Sequence, residues 1–202
     1  MKTRLLTAMF FLILGATTCH ASWLIYHKPE FKGKVVDLDT GEPIEGAVVV
    51  AIYKKKTLNP PVEDYVSSIH AKETLTDQNG EFRISSYTTM INPFSSSYDV
   101  EFIIFKPGYV WERPVHLERT LSGQGTSDFD MPTRWDRNLK CIVLKSGTVK
   151  IPKVRTETDR VESFRGASDI YVFKKILPVS YEIIEKERLH IIELSEKGKM
   201  VK

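Results

Sequence analysis

The chain has 202 residues, which allows one domain with an appendage or one large β domain. Hydrophobic residues make up 42% and charged residues 27%, which excludes a disordered, collagen-like or coiled-coil chain, and two cysteines are too few for a disulfide-dense mini-protein. The 29 Lys and Arg residues against 26 Asp and Glu leave a net charge of +3, which is too balanced for electrostatic binding of nucleic acid.

The N-terminus has the pattern of a secretory signal peptide: a basic start, an apolar run over residues 5–16 and a small-residue exit. As a helix that run spans about 18 Å, short of the ~30 Å core of a bilayer, so no permanent membrane anchor is expected. We expect residues 1–21 to be removed and the mature chain, beginning at Ser22, to be periplasmic or secreted. The alternative is a lipoprotein acylated on Cys19, although the residues before Cys19 depart from the bacterial lipoprotein signal.

Residues 22–150 have the strand pattern of a β-sandwich. Residues 47–53 form a continuous, largely β-branched run, which predicts a central strand covered on both faces. Residues 54–68 contain three consecutive lysines and two prolines, which is typical of an exposed insertion. The two β runs around Asn79-Gly80 predict a β-hairpin that Gly80 closes.

Further strand patterns occur along the chain at residues 34–36, 100–105, 115–117, 141–144 and 148–151. The mature chain's single cysteine, Cys141, begins one of them and is expected to be a buried thiol. About seven short strands, with no helix pattern before about residue 155, predict a mainly β fold, an antiparallel Greek-key β-sandwich.

Residues 151–202 are predicted to form a C-terminal extension with one main helix. Residues 156–159 have the composition of a helix cap, and residues 180–194 have helical periodicity. The apolar stripe of this helix, interrupted by Arg188, consists of Tyr181, Ile184, Ile191 and Ile192. Such a stripe either packs on the sandwich or binds a partner.

Three blocks of sequence resemble carboxypeptidase regulatory-like domains, which are transthyretin-like sandwiches. Residues 33–49 match the opening pattern G-x-V-x-D-x-x-T-G-x-P-I-x-G-A-x-V, residues 76–82 resemble T-D-x-x-G-x-F, and residues 105–109 contain K-x-G-Y. The resemblance covers about residues 31–110 and implies a transthyretin-like fold. It implies little about function, because this family is an accessory module attached to many proteins. Several bacterial exported proteins of unknown function resemble the whole chain, in which these blocks are followed by a C-terminal helical extension.

The residues of these blocks are expected to shape turns and strand ends rather than to contact a ligand. They are Gly33, Asp37, Thr40, Gly41, Pro43, Gly46, Asp77, Gly80, Phe82, Pro107 and Gly108.

The sequence predicts no catalytic residue, no metal site and no cofactor. The histidines and one cysteine are too scattered to form a zinc site by spacing, and the resemblance does not extend to a peptidase domain. Asp37 and Asp39 have the spacing of the first two ligands of a calcium loop, but Gly41 stands where the third ligand is needed. Neither a G-x-S-x-G nucleophile motif nor a P-loop occurs, so the protein is not expected to be an enzyme.

Aromatic residues near strand ends are the candidate binding residues, namely Tyr98, Tyr109, Trp111 and Trp135. Such rings either stack on sugars or plug the open ends of a sandwich. The favoured hypothesis is a non-enzymatic exported module with an unknown protein or glycan partner in the cell envelope, acting in protein interaction or envelope structure. The alternative is a carbohydrate- or peptidoglycan-binding module. Exposed rings of Trp111 and Tyr98 beside each other would favour the alternative, and buried rings would favour the first hypothesis.

Overall fold

The structure is a computed structural model that describes residues 25–58, 63–111, 117–122, 142–143, 146–156, 159–160 and 175–200. The strands are β1 (Ile25–Lys28), β2 (Phe31–Asp37), β3 (Val48–Thr57), β4 (Tyr65–Leu75), β5 (Glu81–Ile84), β6 (Tyr87–Met90), β7 (Ser95–Ser97), β8 (Glu101–Phe105), β9 (Ile142–Val143) and β10 (Thr148–Ile151). The helices are α1 (Leu117–Leu121) and α2 (Pro178–Met200). The expected signal peptide, Trp135 and Cys141 lie outside the described residues.

Two sheets form a sandwich, which confirms the predicted mainly β fold with a C-terminal helical appendage. The first sheet has the strand order β5-β2-β10-β9. The second has the order β4-β3-β7, and β8 also pairs with β3. β1 and β6 form a separate two-stranded ribbon. The pairs are antiparallel except for β2 with β10, which run parallel, a departure from the antiparallel pattern predicted from sequence.

The main core lies between the two sheets. The first sheet contributes Phe31, Val35, Phe82, Ile84, Val149 and Ile151, and the second contributes Val49, Ala51, Tyr53, Phe102 and Ile104. Phe31 and Phe102 meet edge to face across the sandwich, with ring centroids 5.2 Å apart. Burial of these side chains is the main favourable term that holds the sheets together.

A second core lies on the outer face of the second sheet, under α2. It is formed by Val48, Val50, Ile52, Ala71, Ile103, Phe105, Trp111, Leu177 and Ile184. Odd-numbered residues of β3 therefore face the sandwich interior and even-numbered residues face the helix, as the alternation of a strand requires. The prediction that residues 47–53 form a strand covered on both faces is confirmed.

The C-terminal helix α2 is longer than predicted, and its buried face is not the same as the predicted apolar stripe. Ile184 and Ile191 are buried as expected, whereas Ile192 is exposed. The buried face of the helix instead includes Glu187, whose carboxylate forms a bidentate ion pair with Arg160. A charged side chain can lie on this face because its partner neutralises it. The predicted cap before Arg160 is confirmed, since the Thr156 and Asp159 side chains each accept the other's backbone N–H.

Three local predictions are wrong. The runs around Gly80 do not form a hairpin, because β4 pairs with β3 and β5 pairs with β2; the Asp77–Gly80 turn carries the chain from one sheet to the other. Residues 54–68 are not simply an exposed insertion, because most of them extend β3 and β4. Leu117 begins the helix α1 rather than continuing a strand.

The β4–β5 turn depends on a glycine with positive φ in a crowded place. Gly80 has φ 73°, and a Cβ atom there would lie 2.4 Å from the Val35 carbonyl oxygen. Gly41 has the same φ, but a Cβ atom there would meet nothing within 4 Å. We expect Gly80→Ala to lower the free energy of unfolding by about 3 kcal/mol and Gly41→Ala by only about 1 kcal/mol. Urea denaturation checks this, and equal losses would contradict the role of the Val35 contact.

The packing of α2 gives a second prediction. Ile184 is fully buried against the sheet, so Ile184→Asp should lower the free energy of unfolding by about 4 kcal/mol and expose the C-terminal segment to protease. Leu189→Asp is the matched control, because Leu189 lies on the same helix and is 54% exposed; its effect should be about 0.5 kcal/mol or less. Equal behaviour of the two variants would mean that α2 does not pack on the sheet.

Candidate functional site

The buried carboxylate of Asp37, at the end of β2, joins three separate segments of the chain. Its Oδ1 accepts the backbone N–H groups of Asp39, at 2.9 Å, and Thr40, at 3.0 Å. Its Oδ2 accepts the Tyr109 hydroxyl at 3.1 Å and pairs with the Lys153 ammonium at 3.1 Å. Tyr109 and Lys153 are also joined as a backbone β-bridge. Asp37 therefore ties the first turn to the segments after β8 and β10.

These four donors keep Asp37 ionised. Burial alone would raise the pKa of its carboxyl group, but the bonds from Thr40, Lys153, Asp39 and Tyr109 outweigh burial and lower the pKa to about 2. Burial and the neighbouring Asp37 charge raise the pKa of the Tyr109 hydroxyl in turn. Both oxygens of Asp37 are used by protein donors, so this arrangement anchors the turn after β2.

The other residues of the resemblance also have structural positions. A Cβ atom on Gly33 would lie 2.7 Å from the Phe82 ring, so glycine permits close packing of β2 on β5. Asp77 Oδ1 accepts the Asn79 and Glu81 backbone N–H groups and shapes the β4–β5 turn. Pro43 forms a bridge with Val36, and Gly46 and Gly108 have positive φ in turns. Pro107 precedes Gly108 in the turn after β8.

Zinc sites in proteins use His and Glu side chains as ligands, so a His-x-x-Glu spacing is a candidate metal site. It occurs three times in the described residues, at His27/Glu30, His70/Glu73 and His190/Glu193. Glu30 pairs with Arg83 and Lys32. Glu73 accepts the Val179 and Ser180 backbone N–H groups at the start of α2, so it acts as a helix cap. Among the described residues, no three His, Cys, Asp or Glu side chains gather as a metal site.

The structure does not bring the three described candidate aromatic residues, Tyr98, Tyr109 and Trp111, together. Trp111 is 7% exposed and packs on Phe105 under α2, with ring centroids 4.9 Å apart. Tyr109 is partly buried against Asp37. Tyr98 is 43% exposed, and Trp135 lies outside the described residues. Of the three described candidates, Tyr98 alone has a ring open to solvent.

An aromatic cluster that the sequence did not reveal lies at one end of the main core. His70 stacks on Tyr87 at 4.6 Å, and Tyr53 and Tyr26 complete the cluster. Burial raises the pKa of Tyr53 to about 12, and burial together with the Lys72 charge lowers the pKa of His70. Tyr53 comes from β3, His70 from β4, and Tyr26 and Tyr87 from the β1–β6 ribbon, so only their pairing in space could identify the cluster.

The clearest exposed surface lies where the second sheet extends past α2. We call this surface the open face and define it by the side chains of Leu58, Val66, Phe94 and Tyr98, which are exposed by 53%, 37%, 70% and 43%. Val66 pairs with Lys56 across the ladder, Leu58 donates its N–H to the Phe94 carbonyl at 2.9 Å, and Tyr98 donates its N–H to the Lys54 carbonyl at 3.1 Å. The side chains of Lys54, Lys56 and Leu58 lie on the same face of β3 as Val48, Val50 and Ile52, which α2 covers.

The lysines of the open face are paired. Lys54 pairs with Glu101, and Lys56 lies 2.6 Å from Asp64. The open face is therefore an apolar, aromatic surface bordered by neutral ion pairs. Exposed groups of large apolar side chains commonly mark interaction sites.

No family model, curated protein or solved structure matches this chain. The resemblance to carboxypeptidase regulatory-like domains therefore stays a prediction. In the described part of the chain, no helix is both long and apolar enough to cross a membrane.

The Asp37 anchor gives a prediction with a defined pH range. Its pKa is lowered from 3.8 to about 2 in the folded protein, so its contribution to stability is complete above about pH 4 and is lost as the pH falls towards 2. We expect Asp37→Asn to lower the free energy of unfolding at pH 7 by about 2 kcal/mol and to flatten its decline between pH 4 and pH 2. The control Asp39→Asn, at an exposed carboxylate 3.6 Å from Arg155, should change stability by less than about 0.5 kcal/mol. An unchanged acid limb in Asp37→Asn would contradict the anchor.

Proposed function

We propose that this chain is a non-enzymatic, exported β-sandwich module that binds a protein partner of the cell envelope through the open face. The observation that carries the proposal is the exposure of Leu58, Val66, Phe94 and Tyr98 on a sheet face whose other half is covered by α2. The signal-peptide pattern of residues 1–21 supports export.

The chemistry of the open face resembles that of protein interfaces. Such interfaces have apolar and aromatic side chains at the centre and polar groups at the rim. Phe94 and Tyr98 supply the aromatic centre, and the Lys54–Glu101 and Lys56–Asp64 pairs supply the rim. The acidic groups of Asp37 and Glu73, by contrast, hold the fold together.

A glycan ligand is the second candidate, and the exposed rings of Phe94 and Tyr98 favour it. Flat aromatic rings stack on the apolar faces of sugars, and the hydroxyl of Ser96 lies between these two residues in the chain. A glycan site could not use Trp111, which is buried under α2. Among the described candidate rings, the exposed ones lie on the open face, so the same variants test a glycan site there.

Site-specific photo-cross-linking tests the open face. With a photoreactive residue at position 94, the exported chain should form one defined set of protein adducts in intact cells. The matched control carries the same residue at position 189, which is exposed on α2, and should not form these adducts. Tyr98→Ala should reduce the adducts at least about tenfold, the usual scale of an aromatic interface residue. The intact mass of the purified chain tests export in the same preparation, since removal of residues 1–21 leaves Ser22 first.

Equal adducts from positions 94 and 189, or none from position 94, would overturn the protein-partner proposal. Sedimentation with purified peptidoglycan sacculi tests the glycan candidate. The glycan candidate predicts that the unmodified chain binds the sacculi, that Tyr98→Ala does not bind them, and that Leu189→Ala still binds them.

A further inference from the structure

The β1–β6 ribbon is attached to the second sheet by aromatic side chains. Tyr87 of the ribbon contacts Tyr53 of β3, with ring centroids 4.7 Å apart, and His70 of β4, at 4.6 Å. Tyr26, on the other strand of the ribbon, meets Tyr53 edge to face at 6.5 Å. Among the described strands, neither ribbon strand pairs with β3 or β4, so side-chain contacts rather than a backbone ladder hold the ribbon against them.

His70 is the member of this cluster whose side chain type changes charge between pH 5 and pH 8. Its ring is nearly parallel to that of Tyr87, with 19° between the planes, and it also stacks on Tyr53, at 6.1 Å and 24°. Burial and the neighbouring Lys72 charge lower the pKa of His70 from its ordinary value of 6.5. The packed ribbon therefore favours the neutral imidazole.

A positive charge already lies beside the same rings. The Lys72 ammonium is 5.7 Å from the centroid of the Tyr87 ring, and its hydrogen bonds go to uncharged oxygens of Ser85 and Ser86. Side chains two residues apart on a strand share a face, so His70 and Lys72 project to the same side of β4. A tyrosine ring attracts a cation over its face, but Lys72 already uses that attraction at Tyr87. Protonated His70 would add a second cation there.

The ionisable groups of the ribbon and of β3 offer no counter-charge for a protonated His70. Burial raises the pKa of Tyr53 to about 12 and also raises that of Tyr26, so both hydroxyls stay neutral in acid. Lys28 of the ribbon is paired with Glu118 of α1 at 2.6 Å, so this carboxylate has its own cation.

The ionisable groups on the other side of His70 are also committed. His70 lines a groove of about 490 Å³ between β4 and β5, which gives water access to this region. Glu73 lines the same groove, but its carboxylate accepts two backbone N–H groups at the start of α2. Arg83 of β5 is a further cation in the lining, and it is paired with Glu30.

We propose that His70 makes the attachment of the β1–β6 ribbon acid-sensitive: protonation beside Lys72 weakens the contact between His70 and Tyr87 and favours an opened ribbon. Opening would expose the rings of Tyr26 and Tyr53 at this end of the sandwich. The switch does not involve the side chains that define the open face, so either proposal can fail without the other.

The sign and the pH range follow from linkage. A histidine whose pKa is lowered in the packed state stabilises that state fully above about pH 6.5, and this contribution is lost as the pH falls below 6.5. The contribution of Asp37 is lost only below about pH 4, so the two effects occur in separate pH ranges.

NMR and hydrogen exchange on the full mature chain test the switch. We expect the His70 imidazole to titrate below pH 6.5. We expect the amide protection factors of residues 25–28 and 87–90, which are corrected for intrinsic exchange, to fall at least about threefold between pH 7 and pH 5.5. Protection of the amides around Leu189, on α2, should stay unchanged over this range, because their local opening does not expose His70.

Variants assign the response to His70. His70→Phe keeps a flat ring beside Tyr53 and Tyr87 but takes up no proton, so its ribbon should lose the pH response; His70→Gln serves the same purpose if His70→Phe fails to fold. The matched control His190→Gln removes an exposed histidine of α2 and should keep the response. Lys72→Met should raise the pKa of His70 towards 6.5, because it removes the neighbouring charge.

Three results would overturn the proposal. The first is titration of His70 at or above pH 6.5 in the unmodified chain. The second is ribbon protection that does not change between pH 7 and pH 5.5. The third is an equal loss of ribbon protection in the folded His70→Phe or His70→Gln variant.

Discussion

The structure depends on one strand that is buried on both faces. β3 packs Val49, Ala51 and Tyr53 into the sandwich and Val48, Val50 and Ile52 under α2. A strand in this position needs apolar residues without interruption, and residues 47–53 supply them. Because β3 also pairs with strands on both edges, every other layer of the molecule is positioned relative to it.

The proposed open face follows from how far the covering layer α2 reaches. β3 continues beyond the part that α2 covers, and the open face lies on that continuation. Asp37 stabilises the opposite end of the molecule by fixing the turn after β2 to the segment after β10. The fold thus separates an end that is anchored by Asp37 from the exposed apolar surface of the open face.

The sequence predicted those features that depend on local pattern. Residue periodicity predicted the two-sided burial of β3, the positions of β2, β8 and β10, and the burial of Ile184. Capping chemistry predicted the helix cap at residues 156–159. The Asp77–Gly80 turn was also identified, but a turn with positive φ does not specify which sheet the next strand joins. The hairpin prediction failed for that reason.

Features that depend on contacts between distant residues were not predictable. Lys54 and Lys56 suggested an exposed insertion, yet Glu101 and Asp64 neutralise them and the strand continues. Leu58 and Val66 of the proposed open face were not predicted as candidates because they lie in that segment, whereas Tyr98 was predicted as a candidate.

The most direct test of the central role of β3 is residue-resolved native-state hydrogen exchange on the full mature chain. The account predicts that the amides of Val48–Ile52 exchange only through global unfolding, with an opening free energy equal to that measured by denaturant. It also predicts that the amides around Ile184 are protected far beyond the level of an isolated helix, because that segment covers the same strand. Fast exchange in Val48–Ile52, or exchange around Ile184 at the rate of an unstructured peptide, would contradict the account.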